Sequence, residues 1–168
     1  MRLLLIRHAI AEEREDFART GKDDRLRPLT DEGRKKMKQA ARGLKGLCPE
    51  IDLLATSPLT RAAQTGAIVD SVYGGLQVVE IEELEPETTP AAFLLWLRQR
   101  KEKTVAAIGH EPSLGQIFSW LLTGTERHLI AFRKGGICLL ELPDEEAAAG
   151  TATLLWALTP AQLRQLAG

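Results

Sequence analysis

The chain has 168 residues, a single-domain length that is enough to bury a sizeable core. Its 22 Lys and Arg balance 23 Asp and Glu, a formal net charge of −1 that lacks the basic excess of a nucleic-acid or membrane-surface protein. At 44% hydrophobic and 27% charged it is neither disordered, collagenous nor membrane-like in composition. The expectation is one domain over residues 1–168, monomeric, with no nucleic-acid or membrane partner.

Leu3-Leu4-Leu5-Ile6 is apolar on both faces, as in a strand buried in a parallel sheet, and it ends abruptly at Arg7-His8. Over residues 12–25 the charge is mixed and the run reads as a solvated loop without a function. Across residues 30–47, Met37, Ala40, Ala41 and Leu44 recur at helical spacing, Thr30 is placed to cap, and Arg34-Lys35-Lys36-Met37-Lys38 is the wet face. A second strand over 51–55 is followed by Ser57-Pro58, read as an N-cap and first turn of a helix to about Val72 that Gly74-Gly75 stops. Then come a strand over 76–81, a helix over 90–100 and a strand over 104–108 that closes at Gly109-His110.

Pro112 and Ser113 open a helix to about Leu122. Two strands over 136–142 and 151–158 follow, joined by an Ala-rich hairpin loop over 145–150, with a short helix from Pro160 at the end. Cys48 and Cys138 belong to no CxxC pair and read as buried thiols. Trp96, Trp120 and Trp156 read as core or rim aromatics, and His128 as structural or exposed. The first apolar run is too short for a signal peptide and no run reaches membrane length, so the expected location is the cytoplasm. Repeated strand–helix units imply an α/β fold, a three-layer α/β/α sandwich on a mostly parallel sheet, with ligands bound beyond the carboxyl ends of the strands.

That rule gathers Arg7 and His8, the segment from Ser57 to Arg61, and Gly109-His110 at one site. Paired arginines clamp phosphoryl or carboxylate oxygens and stay charged, and Arg61 falls in the first turn of its helix, where backbone N–H groups also favour an anion. A neutral imidazole attacks phosphorus in line, and cationic neighbours lower its pKa, which suits His8 as nucleophile. His110 is then the donor that stabilises charge building on the phosphoryl oxygens. His110-Glu111 is no zinc-protease signature, because Leu114 stands where a second histidine is needed, and Gly115 and its neighbours form no P-loop.

Leu5-Ile6-Arg7-His8-Ala9, Ser57-Pro58-Leu59-Thr60-Arg61-Ala62-Ala63-Gln64-Thr65 and Gly109-His110-Glu111-Pro112 resemble the histidine phosphatase superfamily in order, spacing and placement at strand ends. Arg27-Pro28-Leu29-Thr30-Asp31-Glu32-Gly33 is similar to its small phosphohistidine phosphatase branch, the SixA type. The resemblance implies a phosphoglycerate-mutase-like fold, transient phosphorylation of His8, phosphoryl binding by Arg7, Arg61 and His110, an Arg27 facing the phosphate pocket, and no metal or organic cofactor. Its usual Arg-His-Gly is Arg7-His8-Ala9 here, and alanine has less backbone freedom at a tight strand exit.

Larger members place a glutamate general acid in the region of residues 81–86, where Glu82, Glu83 and Glu85 compete and Glu83, just before Leu84, is preferred. A phosphohistidine substrate leaves as imidazole and needs less acid assistance than an alkoxide. About ten residues before Pro90 leave no room for a sizeable lid, so the site is expected to be open and to admit a phosphoryl group carried by another protein. The expected function is a metal-independent phosphatase that dephosphorylates phosphohistidine on a signalling or phosphotransfer protein, such as a histidine-containing phosphotransfer domain. The alternatives are a phosphatase for a small phosphorylated metabolite, favoured by the near-neutral charge and the three candidate acids, and a non-catalytic phosphate-binding module.

Overall fold

In the computed structural model, which describes residues 1–143 and 147–168, six strands form one sheet. They are β1 (Arg2–Arg7), β2 (Leu53–Thr56), β3 (Val78–Glu80), β4 (Thr104–Gly109), β5 (Ile137–Glu141) and β6 (Thr153–Leu158), in the order β3-β2-β4-β1-β5-β6. The β1–β4, β2–β4 and β2–β3 pairings are parallel, whereas β5 and β6 add to β1 as an antiparallel edge. The helices are α1 (Arg14–Ala18), α2 (Asp31–Leu47), α3 (Thr60–Tyr73), α4 (Pro90–Leu97), α5 (Ser113–Thr123) and α6 (Pro160–Gln165). Short 3-10 turns sit at Asp24–Leu26 and Glu82–Leu84.

The two faces of the sheet follow from strand alternation. Leu4 and Ile6 of β1 point with Leu54, Ala106 and Ile108 into a core closed by Met37, Ala40, Ala41 and Leu44 of α2, Val69 of α3 and Leu163 of α6. Leu3 and Leu5 point the other way, with Leu53, Ala55, Val105 and Ala107, against Phe93 and Leu97 of α4 and Leu114, Ile117 and Phe118 of α5. Both faces are covered, giving the expected α/β/α layers and explaining the uninterrupted apolar runs. Cys48 and Cys138 are buried as expected, the three tryptophans are half-buried at the rim, and His128 is exposed.

Thr30 caps α2, its side chain accepting from the Gly33 N–H. The start of α3 departs from the sequence reading: the helix begins at Thr60, not at Ser57-Pro58, and its N-cap is Leu59. The Ser57 hydroxyl is turned inward, accepting from the Leu59 N–H at 3.3 Å and reaching the site. The segment read as a solvated loop also differs, for α1 and the 3-10 turn at Asp24–Leu26 lie within it and Phe17 is buried. Helix α4 ends at Leu97 and strand β3 begins at Val78, both shorter than the patterns suggest. Within the expected hairpin loop over 145–150, Glu145 and Glu146 lie outside the described residues. No helix among the described residues is long and apolar enough to cross a membrane.

Candidate active site

In the β1–β4 ladder Arg7 is paired with Gly109, so the next residue of each strand emerges at the same edge. This places the His8 and His110 rings with centroids 5.1 Å apart at 50°. Thr56 of β2 is paired with Ile108, and Ser57, the residue after it, donates its backbone N–H to the Ile108 carbonyl. Three strand ends thus deliver the predicted residues to one place, at the carboxyl edge of the parallel part of the sheet.

His8 is 6% exposed, and its Nδ1 lies 2.7 Å from the Ala9 carbonyl oxygen. A carbonyl can only accept, so Nδ1 carries the proton and the lone pair of the neutral ring sits on Nε2. Nε2 makes no hydrogen bond within the described residues. Burial, with added repulsion from Arg61, Arg7 and Arg27, pushes the His8 pKa down to about 3, so the ring is neutral at physiological pH. The Ala9 N–H donates to Thr65 Oγ1, which in turn donates to the Arg61 carbonyl, tying the segment after the nucleophile to α3. Every residue with positive φ in the described chain is a glycine, so Ala9 occupies the usual glycine position without backbone strain.

His110 is buried, with Nε2 2.9 Å from Ser57 Oγ and Nδ1 enclosed without a hydrogen-bond partner. Burial and the neighbouring His8 and arginines push its pKa down to about 2. Arg7 donates from Nη1 to the Phe132 carbonyl at 2.6 Å, and the Phe132 N–H is held by Glu111 Oε1 at 3.2 Å. Arg61 donates from Nη1 to the Asp24 carbonyl at 3.0 Å and lies 3.3 Å from Asp24 Oδ2. Burial and the nearby Arg27 lower the Arg61 pKa to about 10, leaving it charged. The Nε atoms of both Arg7 and Arg61 are buried without a partner. Arg27 is itself buried, with Nε on Asp24 Oδ1 at 2.7 Å and Nη1 on the Glu12 carbonyl at 2.7 Å.

Three cations and two neutral imidazoles therefore face one region, with several donors unused and a single carboxylate, Asp24, between two of the arginines. Burial alone would raise the Asp24 carboxyl, but the Arg27 hydrogen bond and the charges of Arg27 and Arg61 hold it below the usual range. Such a surplus of donors in a partly desolvated cleft fits an oxyanion of tetrahedral shape. The sequence reading missed Asp24, Ser57 as a partner of His110, and Thr65. Asp24 was hidden inside a charged run, although its place three residues before Arg27 was a usable signal, one 3-10 turn apart.

Glu83, preferred as general acid, is half-buried in the 3-10 turn after β3 and makes no hydrogen bond or ion pair with a described residue. Glu85 is occupied by Arg25, whose Nη1 and Nη2 grip its carboxylate at 2.6 and 3.0 Å. Among the described residues no cluster of three or more His, Cys, Asp or Glu has the arrangement of a metal site.

The chain belongs to the histidine phosphatase superfamily, whose branch 1 profile matches residues 3–86. It is 28% identical over 171 residues to the phosphohistidine phosphatase SixA of Escherichia coli, covering 98% of this chain and 97% of that one. An uncharacterized protein of Picosynechococcus sp. is 32% identical over 162 residues, covering 95% and 96% of the two chains. The structure of the protein histidine phosphatase SixA complexed with tungstate superposes with a TM-score of 0.82 at 25% identity, over 97% of this chain and 99% of that one.

Proposed function

We propose that this chain is a metal-independent phosphohistidine phosphatase acting on a phosphohistidine-bearing protein through a covalent phospho-His8 intermediate. The observation that carries the reading is the fixed tautomer of His8: Nδ1–H is committed to the Ala9 carbonyl, and the ring with its free Nε2 lone pair lies in the positive field of Arg61, Arg7 and Arg27.

In the first step the Nε2 lone pair attacks phosphorus and forms a new N–P bond as the substrate's N–P bond breaks. The departing imidazole takes a proton from solvent. The guanidinium groups of Arg7 and Arg61 and the His110 ring, whose buried Arg7 Nε, Arg61 Nε and His110 Nδ1 have no hydrogen-bond partner among the described residues, receive the phosphoryl oxygens. Water then attacks phospho-His8, releases inorganic phosphate and returns the neutral ring. Because an imidazole leaving group has a pKa near 6.5, the first step runs without a strong acid, in keeping with the unengaged Glu83 and the Arg25-bound Glu85. Residues 81–89 between β3 and α4 provide only a 3-10 turn in place of a lid, which supports a substrate presented by another protein.

The test compares a phosphohistidine-bearing phosphotransfer protein with small phosphomonoesters, with chelator present, using wild type and His8→Ala. Preferential release from the protein, abolished by His8→Ala, is the expected result. Faster hydrolysis of phosphomonoesters would instead assign a small-metabolite phosphatase, and phosphate binding without turnover on either substrate would leave only a binding module.

A further inference from the structure

A cleft of about 360 Å³ opens at the same end of the sheet as His8 but on the α2–α6 side, sharing Ala9 as a wall. Three chain segments meet there because β5 starts and β6 ends where β1 finishes: Ile6 is paired with Ile137, and Ile137 with Leu158. The floor is apolar, built from Ala9 and Ile10, Met37 and Ala40 of α2, and Pro160 and Ala161 of α6. Among the described residues the lining holds four cations, Lys36, Arg133, Lys134 and Arg164, and no carboxylate.

Among the described residues only Lys36 has an ion-pair partner, Glu32 one turn away. The side chains of Arg133, Lys134 and Arg164 make no ion pair or hydrogen bond with any described residue. Three positive charges without a partner among the described residues, around one apolar cleft, are a local accumulation in a chain whose formal net charge is −1. Inorganic phosphate would gain nothing from that floor, and an uncharged apolar ligand nothing from the rim. The Thr159 hydroxyl is engaged with Gln162 at the start of α6, so the floor supplies no free hydroxyl there.

We infer that this cleft is a second ligand site, distinct from the phosphoryl site, for a small organic anion whose apolar body lies on Ile10, Pro160 and Ala161 while its carboxylate, sulfonate or phosphate head faces Arg133, Lys134 and Arg164. Its volume is in the usual range for small-molecule sites, which combine an apolar lining with a few orienting polar groups. The inference holds whether or not phosphohistidine is the substrate.

The probe is 1-anilinonaphthalene-8-sulfonate, an anion of this class, titrated into the whole protein and followed by fluorescence. Saturable binding of one dye per chain is expected. Lys134→Glu combined with Arg164→Glu reverses the rim charge, and Ala161→Trp fills the cleft without changing charge. Each is expected to weaken binding at least tenfold while keeping the wild-type Tm, which separates loss of the site from loss of the fold. Absence of a saturable site, or wild-type affinity in either variant, overturns the inference.

Discussion

One Asp24 carboxylate holds two guanidinium groups: Oδ1 meets Arg27 Nε at 2.7 Å and Oδ2 lies 3.3 Å from Arg61 Nη1. Its backbone carbonyl adds a third contact to Arg61. On the proposed mechanism Asp24 positions both arginines so that their remaining N–H groups face the phosphoryl oxygens. Asp24→Asn keeps the shape and removes the charge, and hydrogen bonds to charged groups contribute about 1.5–3 kcal/mol each. We predict a fall in kcat/KM of about 10- to 100-fold with little change in Tm, measured by steady-state kinetics beside thermal melts. Arg7, His8, Arg61 and His110 were legible in the sequence because strand-end logic and phosphate chemistry select the same residues. Arg27 came into view only through the resemblance. Asp24 and Ser57 escaped because their work is done through contacts that depend on how the turn after β2 and the 3-10 turn at Asp24–Leu26 face each other, and spacing along the chain does not encode that.

Among the elements, α2 is fixed to the segment after the nucleophile by close backbone approach. A Cβ on Gly33 would stand 2.0 Å from the Ile10 carbonyl oxygen, well inside contact distance, so only glycine lets the first turn of α2 lie against Ile10. Thr30 caps the same turn and also donates its backbone N–H to the Ile10 carbonyl. Gly33→Ala therefore forces α2 or the Ala9–Ile10 backbone to shift. Overpacking of this kind costs about 1–3 kcal/mol. The expected outcome is a lowered Tm together with reduced turnover, since the displaced backbone carries the Ala9 carbonyl that sets the His8 tautomer. Unchanged melting and turnover would refute it. The strands and long helices were legible because apolar runs and 3.6-residue periodicity are local signals. The start of α3 was not, because Ser57 had two available partners, the helix N-terminus and His110, and the tertiary one prevailed.

For the molecule as a whole, the buried imidazoles link stability to pH. His8 and His110 titrate near 6.5 when unfolded, but burial first, and then their charged neighbours, lower them to about 3 and about 2 in the fold. Between these limits the unfolded chain binds more protons than the folded one. Stability is therefore fully present above about pH 6.5 and falls as pH drops toward the folded values, by up to about 1.4 kcal/mol per pH unit for each ring. Urea midpoints between pH 7.5 and 5 should fall, with a shallower slope in His8→Asn; parallel slopes would contradict the linkage. The layered architecture and the pairing of the last two strands were legible from alternating strand and helix patterns and a hairpin loop, but the antiparallel pairing of β5 with β1 was not, because strand direction depends on which edge of the sheet the chain reaches.

On the proposed mechanism His8 carries the phosphoryl group during turnover. The most direct test is a rapid-quench reaction of the protein with a radiolabelled phosphohistidine-bearing protein, stopped in alkali and mapped by peptide mass spectrometry. Transient label is expected on His8, stable to base, lost in acid and absent from His8→Ala. Turnover with no label on the enzyme, or label in an acid-stable linkage at another residue, would contradict it.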